Sequence, residues 1–308
     1  MCGSGKTEII LNVVRQTICS GGKVGFVVPR RDVVRELFQR FKTIFTENRI
    51  TAVYGGHTSK LDGDLICLTS HQLFRYQNYF DLLILDEIDA FPYQGNEVLY
   101  AFFKRAVKGH YIMMSATPSK SVIEEFQKGG KMMLTLNTRF HGHPLPVPRF
   151  IISRGIMQYY QLIRVLRGFY TQNKPVFIFA PTIEICEQTY NVVRLFFKNS
   201  QYVHSKCEDR QKRIEDFRLG KTKMLVTTAV LERGVTVKDL QVVVFKSDHK
   251  LYTSQALIQI SGRVGRKKEA PEGDVIFIGS KKTNEMDECV NSIQTSNKSL
   301  QNMLQKHR

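Results

Sequence analysis

Nothing in the 308-residue chain approaches the roughly 20 consecutive apolar residues that a bilayer-spanning helix needs, and the opening Met1-Cys2-Gly3-Ser4-Gly5-Lys6 lacks an apolar signal region. The expectation from these two absences is a soluble, cytoplasmic protein. The six cysteines (Cys2, Cys19, Cys67, Cys186, Cys207, Cys289) contain no C-x-x-C pair, which argues against a zinc site or a disulfide framework within these residues. Internal repeats and low-complexity tracts are lacking. Acid is in short supply: 28 Asp and Glu stand against 45 Lys and Arg, a net charge of +17. A surplus of that size points to a polyanionic partner, nucleic acid or an anionic membrane surface; a basic surface that merely aids solubility is the plain alternative.

What is present is ordinary for a globular protein. Hydrophobic residues make up 42% and charged residues 24%, which excludes disordered, collagenous and coiled-coil classes. The length suits two domains. Near-continuous apolar runs, of the kind covered by helices on both faces, predict strands at Val24–Val28, Leu65–Leu68, Leu82–Leu85, Tyr111–Met114 and Met132–Leu136. Helical patterns lie between them at Arg31–Phe45 and Glu97–Val107. A further helix is signalled over Ser119–Phe126 by Thr117 as N-cap and Pro118 at the first helical position. The segment 141–149 holds three prolines and a glycine and reads as a linker, so that its His141 and His143 are linker residues rather than metal ligands. Alternation then resumes, with strands at Val176–Ala180, Met224–Thr228, Val242–Phe245 and Val275–Ile278. Helices are expected at Ile156–Tyr170, Glu184–Phe197 and Ser254–Ile260, and a polar surface helix from Thr283 to Arg308. Two strand–helix alternations in series predict an α/β fold of two parallel-sheet domains in tandem, residues 1–140 and 150–308.

Three constellations carry chemistry. Gly3-Ser4-Gly5-Lys6-Thr7 ends like a P-loop: backbone N–H groups wrap a phosphate, Lys6 reaches the β- and γ-phosphates, and the Thr7 hydroxyl ligates Mg²⁺. The first glycine of the full pattern would precede Met1, so the first domain reads as N-terminally incomplete. Leu82-Leu83-Ile84-Leu85 runs into Asp86-Glu87-Ile88-Asp89, placing acids at the carboxyl end of a buried strand, where open α/β sheets bind ligands. Asp86 would hold Mg²⁺ and Glu87 would polarise an attacking water; alone, the run reads equally as a solvated acidic turn. Gln259 through Arg266 offers Arg263 and Arg266, spaced i and i+3, to the charge that develops on a γ-phosphate, or forms a basic surface loop. Together the three describe a motor that grips ATP between two domains.

In this order the residues resemble the superfamily 2 helicases and translocases. Lys6-Thr7 is similar to motif I, Val28-Pro29-Arg30-Arg31 to motif Ia, and Thr69-Ser70-His71 to motif Ib. Asp86 through Asp89 is similar to motif II, Ser115-Ala116-Thr117 to motif III, and Phe179-Ala180-Pro181-Thr182 to motif IV. Thr227-Thr228 with Leu231 through Gly234 resembles motif V, and Gln259 through Arg266 motif VI. Cys2 through Glu8, Asp86 through Tyr93, Ala229 through Thr236 and the His-Gly-His-Pro segment further resemble the ComFA family of competence ATPases.

The resemblance implies ATP and Mg²⁺ as cofactors and single-stranded DNA as partner, and an ATP-dependent translocase that drives DNA uptake in natural transformation. It implies nucleotide contacts at Gly3, Ser4, Gly5, Lys6, Thr7, Asp86, Gly234 and Gln259, with Glu87, Arg263 and Arg266 catalytic. It implies DNA contacts at Arg30, Arg31, Thr69, Ser70, Pro181, Thr182, Thr227 and Thr228. Phe91 and Tyr93 pack in the core, or else stack on a base or form a wedge. The location implied is the inner face of the cell membrane, beside the uptake machinery and a phosphoribosyl-transferase-like partner. The family carries a four-cysteine zinc module ahead of its P-loop, so zinc is expected only in a segment preceding Met1, and loss of the strand beneath the P-loop would expose a sheet edge. Two other readings stand: a replication-restart or repair helicase of the same superfamily, whose paired C-x-x-C ligands do not occur here, and a truncated, catalytically silent DNA-binding remnant.

Overall fold

A computed structural model describes residues 6–88, 96–115, 123–124, 132–134, 142–229 and 236–306. The chain divides into two units, Gly5–Leu136 and Asn137–Arg308.

In the first unit, β1 (Val24–Val28), β2 (Ile50–Val53), β3 (Leu65–Thr69), β4 (Phe80–Asp86) and β5 (Val107–Met114) form a parallel sheet in the order β2-β3-β1-β4-β5. Every residue of β1 and β3 is buried, because alternate side chains enter two different cores. Phe26, Val28, Leu82 and Ile84 pack with Ile10 and Val14 of α1 (Lys6–Cys19) and with Val34, Leu37 and Phe41 of α2 (Arg31–Ile44). Val27, Leu83 and Leu85 pack on the opposite face with Leu99, Phe103 and Ala106 of α3 (Glu97–Ala106). The central strand has room for only glycine at position 25, where a Cβ would come within 2.5 Å of the Leu83 Cδ1. β5 is at the sheet's edge and exposes Lys108 through Tyr111.

The strand expected over Met132–Leu136 is not formed at its described residues. Met132, Met133 and Leu134 have no regular structure, and Met132 and Leu134 are 86% and 81% exposed. An apolar run becomes a central strand only where both of its faces are covered. Of the helix expected over Ser119–Phe126, the described residues Ile123 and Glu124 are helical, and the rest lies outside the described residues, as does Thr117.

The second unit is a parallel sheet of β6 (Arg149–Ile152), β7 (Val176–Phe179), β8 (Ser200–Val203), β9 (Met224–Thr227), β10 (Gln241–Phe245) and β11 (Val275–Gly279), in the order β6-β11-β10-β7-β9-β8. Its helices are α4 (Met157–Thr171), α5 (Ile183–Phe196), α6 (Arg210–Arg218), α7 (Ser254–Ser261) and α8 (Asn284–Lys306). Leu162 and Leu166 of α4 and Cys186 and Val193 of α5 bury one face over Val176, Ile178, Val226, Val243 and Ile276. On the other face Phe177 stacks on Phe217 of α6, with ring centroids 4.9 Å apart.

The polar tail is helical as expected, but it is more than a surface helix. Met286, Cys289, Ile293 and Leu300 of α8 are buried, a stripe at helical spacing diluted by polar neighbours. Asn297 continues that side: its Oδ1 accepts from the Leu145 N–H at 2.8 Å and its Nδ2 donates to the Leu145 carbonyl at 2.9 Å. The proline-rich segment is thereby held to α8, and Leu145 is buried.

Candidate nucleotide site and nucleic-acid interface

The strand order of the first unit reverses between β1 and β4. The chain leaves β1 through α2 toward β2, and leaves β4 through α3 toward β5 on the other side. The crevice at the carboxyl ends of two such strands is where open α/β sheets bind ligands. Asp86 closes β4 at this point, and Lys6, the first residue of α1, reaches it with Nζ 3.6 Å from Asp86 Oδ1. Asp86 Oδ1 also accepts from the Glu87 N–H at 2.9 Å. Thr7 follows at the helix N-terminus, and α1 is tied to α2 by Glu8, whose carboxylate meets Arg40 at 2.5 Å.

Glu87 has a φ of 62°, the left-handed region, which costs a residue with a side chain about 1–2 kcal/mol. Strain of this kind persists where the surrounding structure imposes it, and it clusters at functional sites. Burial pushes the Asp86 carboxyl above its usual range, and the neighbouring Glu87 adds to this; the Lys6 ammonium opposes it without overcoming it. Asp86 is therefore a carboxylate whose burial one lysine does not fully offset, with a hydroxyl beside the lysine. That donor set fits Mg²⁺, which is held by one or two carboxylates together with substrate phosphates rather than by an all-protein cage. Acidification protonates Asp86 at a higher pH than an ordinary aspartate and weakens such binding there.

Arg30 and Arg31 stand at the end of β1, on the other bank of this crevice. Arg31 lies against the Gly55 backbone, where a Cβ would come within 2.8 Å of its Nη2. Thr69 ends β3, and Ser70 opens the 3-10 turn Ser70–Arg75 with its hydroxyl buried and without a hydrogen-bond partner among the described residues.

The second unit places its expected residues unevenly. Its strand order reverses between β10 and β7, whose chains depart to β11 and β8 on opposite sides. Pro181 and Thr182 follow β7, and Thr182 caps α5, its hydroxyl oxygen accepting from the Ile185 N–H at 3.2 Å. Thr227 is fully buried and its hydroxyl donates to the Val203 carbonyl at 2.9 Å, so it links β9 to β8 instead of facing solvent. Thr228 is nearly buried. Thr253 caps α7, accepting from the Ala256 N–H, and α7 presents Gln259, 5% exposed. The two arginines that follow are not equivalent. Arg263 is 1% exposed and heads the fully buried side chains by volume, whereas Arg266 is half-buried, its Nε donating to the Gly262 carbonyl at 3.0 Å. Gly265, with φ of 66°, turns the chain between them. Gly3, Ser4, Gly5, Phe91, Tyr93, His141 and Gly234 lie outside the described residues.

Two RecA-like sheets in series, with the lysine–aspartate pair at the reversal point of the first, define a superfamily 2 helicase core, an ATP-hydrolysing class of enzyme. Residues 1–126 match the DEAD/DEAH box helicase family and residues 158–268 the helicase conserved C-terminal domain. The chain belongs to the ComFA family of competence proteins. It is 36% identical to competence protein ComFA of Streptococcus pneumoniae, over 96% of this chain and 71% of that protein. It is 34% identical to competence protein ComFA of Bacillus subtilis, over 93% of this chain and 64% of that one. Among solved structures, a Dbp5 variant of S. cerevisiae bound to RNA and ADP BeF3 superposes with a TM-score of 0.74 at 18% identity, over 96% of this chain and 81% of that one. The helicase MrfA bound to DNA and AMPPNP superposes at 0.66 and 13% identity, over 95% of this chain and 47% of that one. At these identities the two structures share the fold. No helix among the described residues is long and apolar enough to cross a membrane.

Proposed function

We propose that the chain is the motor core of an ATP-dependent single-stranded DNA translocase, acting in DNA uptake during transformation. The observation that carries this is the pairing of Lys6 with Asp86 beside the strained Glu87, at the point where the first sheet's order reverses. Membership of the ComFA family supports the competence role; action at the inner face of the membrane, beside the uptake machinery and a phosphoribosyl-transferase-like partner, belongs to the same proposal.

In this reading Gly3, Ser4 and Gly5 wrap the phosphates, and Lys6 holds the β- and γ-phosphoryl oxygens. Thr7 and Asp86 would hold Mg²⁺, which when bound supplies charge neutralisation to the phosphates. Glu87 orients a water and takes its proton as the water oxygen bonds to the γ-phosphorus and the bond to the ADP oxygen breaks. Gly234 and Gln259 add nucleotide contacts from the second domain, and Arg263 and Arg266 serve the transition-state charge. Arg30, Arg31, Thr69, Ser70, Pro181, Thr182, Thr227 and Thr228 line the DNA path. Strand-end hydroxyls, amides and cations suit phosphate contacts that carry no sequence readout. For Thr227 the contact falls to the main chain, since its hydroxyl is committed to Val203.

The test is ATP turnover by the full-length protein with and without single-stranded DNA. Stimulation by the strand, abolished in Lys6→Ala, is expected; a rate indifferent to DNA contradicts the DNA-motor reading, and efficient unwinding of a forked duplex redirects it to a repair helicase.

A further inference from the structure

The positive charge is divided unequally. Through Leu136 the chain has 17 Lys and Arg against 13 Asp and Glu; from Asn137 on it has 28 against 15. Part of this surplus surrounds a cavity of about 440 Å³ lined by Gln158, Lys246, Asp248, His249, Lys250 and Ser280. The lining comes from the loop after β10, the residue after β11 and the start of α4, so the cavity opens at the carboxyl ends of neighbouring strands, away from the helicase motifs' own residues. Arg154 and Lys281, both exposed, follow the carboxyl ends of β6 and β11 on the same edge of the sheet.

The cavity is built rather than incidental. Ser247 N–H donates to the Ile278 carbonyl at 2.9 Å, and His249 N–H to the Lys246 carbonyl at 3.0 Å. The Ser280 hydroxyl donates to the carboxylate of Asp248, the one acid among the described lining residues. The loops are pressed so closely that a Cβ at Gly279 would come within 2.9 Å of both the Asp248 carboxylate and the Ser247 hydroxyl. Lys246 is held in the left-handed region at φ 49°, a conformation that side-chain-bearing residues rarely adopt. Among the described residues no carboxylate pairs with Lys246, Lys250, Arg154 or Lys281. Two lysines against one aspartate leave net positive charge in a concave site, which is the chemistry of phosphate recognition.

Position decides which phosphate. The β10 loop is one bank of the crevice where this sheet's order reverses, and Pro181-Thr182 after β7 is the other. A nucleic-acid strand crossing the carboxyl edge over β9 and β7 meets β10 one strand spacing later, about 5 Å on. We infer that the pocket at Lys246, His249 and Lys250 binds phosphodiester groups of single-stranded DNA and extends the DNA track beyond the helicase motifs to β10 and β11. This rests on the DNA-translocase reading proposed above.

The test is equilibrium binding of oligothymidylate to the full-length protein across a salt series, for wild type, Lys246→Gln/Lys250→Gln, and a control pair Lys174→Gln/Lys198→Gln. The control removes the same charge at the amino edge of the same sheet. The expected result is a roughly tenfold loss of affinity near 0.1 M salt and a log–log salt slope shallower by about 1.4 in the pocket variant, about 0.7 for each phosphate that is no longer neutralised, with the control near wild type. Wild-type affinity and slope in the pocket variant overturn the inference alone, as does equal weakening in the control. Weakened Mg-ATP binding with unchanged strand affinity assigns the pocket to a free nucleotide and overturns the strand assignment. A wild-type protein that binds no strand overturns the translocase reading and the inference with it.

Discussion

Glu87→Gln in the full-length protein is expected to lower DNA-stimulated ATP turnover by about 10²–10⁴-fold, the usual contribution of a positioned general base, while Mg-ATP still binds. Glutamine keeps the size of the side chain and its backbone strain and removes only the ability to take a proton. A second substitution separates chemistry from architecture. Glu87 has a φ of 62°, which glycine adopts without penalty, so Glu87→Gly is expected to be equally inactive yet no less stable, with a gain of about 1 kcal/mol where the relief of strain outweighs the added chain entropy. Single-turnover hydrolysis and thermal unfolding on the two variants check this. Turnover within tenfold of wild type in Glu87→Gln removes Glu87 from the reaction, and a large loss of stability in Glu87→Gly makes its conformation structural.

The second large effect belongs to Arg266. Arg266→Ala is expected to reduce turnover by about 10³–10⁵-fold at saturating single-stranded DNA, the scale of an arginine that meets transition-state charge, with the unfolding temperature near that of wild type. The half-buried setting of Arg266 makes it the informative member of the pair. Arg263 is 1% exposed and already has an interaction partner. Its removal leaves a cavity and former partners unsatisfied, so Arg263→Ala is expected to destabilise the protein by several kcal/mol and to confound any kinetic reading. Turnover of Arg266→Ala within tenfold of wild type would exclude it as the trigger.

The strands legible in the sequence are the central ones. β1, β3, β4, β7, β9, β10 and β11 are near-continuous apolar runs because helices cover both of their faces, and the pattern marks each within two residues of its ends. The strands that the pattern does not reveal, β2, β6 and β8, all lie at sheet edges, as does the exposed first half of β5. An edge strand is paired on one side only and tolerates residues such as Arg149 in β6 or Ser200 and Gln201 in β8, so its pattern fades into that of a loop. The helix α6, Arg210–Arg218, is hidden for a related reason: six of its nine residues are charged, and it buries only Phe217.

The candidate site is legible where spacing encodes it. A lysine opening a helix and an aspartate closing a strand can be read from a string because local structure fixes both, and the fold brings them to 3.6 Å. The different fates of Arg263 and Arg266 cannot be read, because they depend on where the chain turns at Gly262–Gly265. The hydroxyl of Thr227 is equally hidden, since its partner Val203 is 24 residues away on a strand without a clear pattern. The pocket at Lys246 and Lys250 has no motif at all; its one sequence signal is the charge imbalance between the two halves.

The most direct measurement is displacement of streptavidin from the end of a biotinylated single-stranded oligonucleotide by the full-length protein with Mg-ATP. Displacement that requires hydrolysable ATP, favours one end of the strand and disappears in Lys6→Ala is the expected result. Tight binding and ATP turnover without any displacement, or displacement that persists in Lys6→Ala, would contradict a motor that moves on single-stranded DNA.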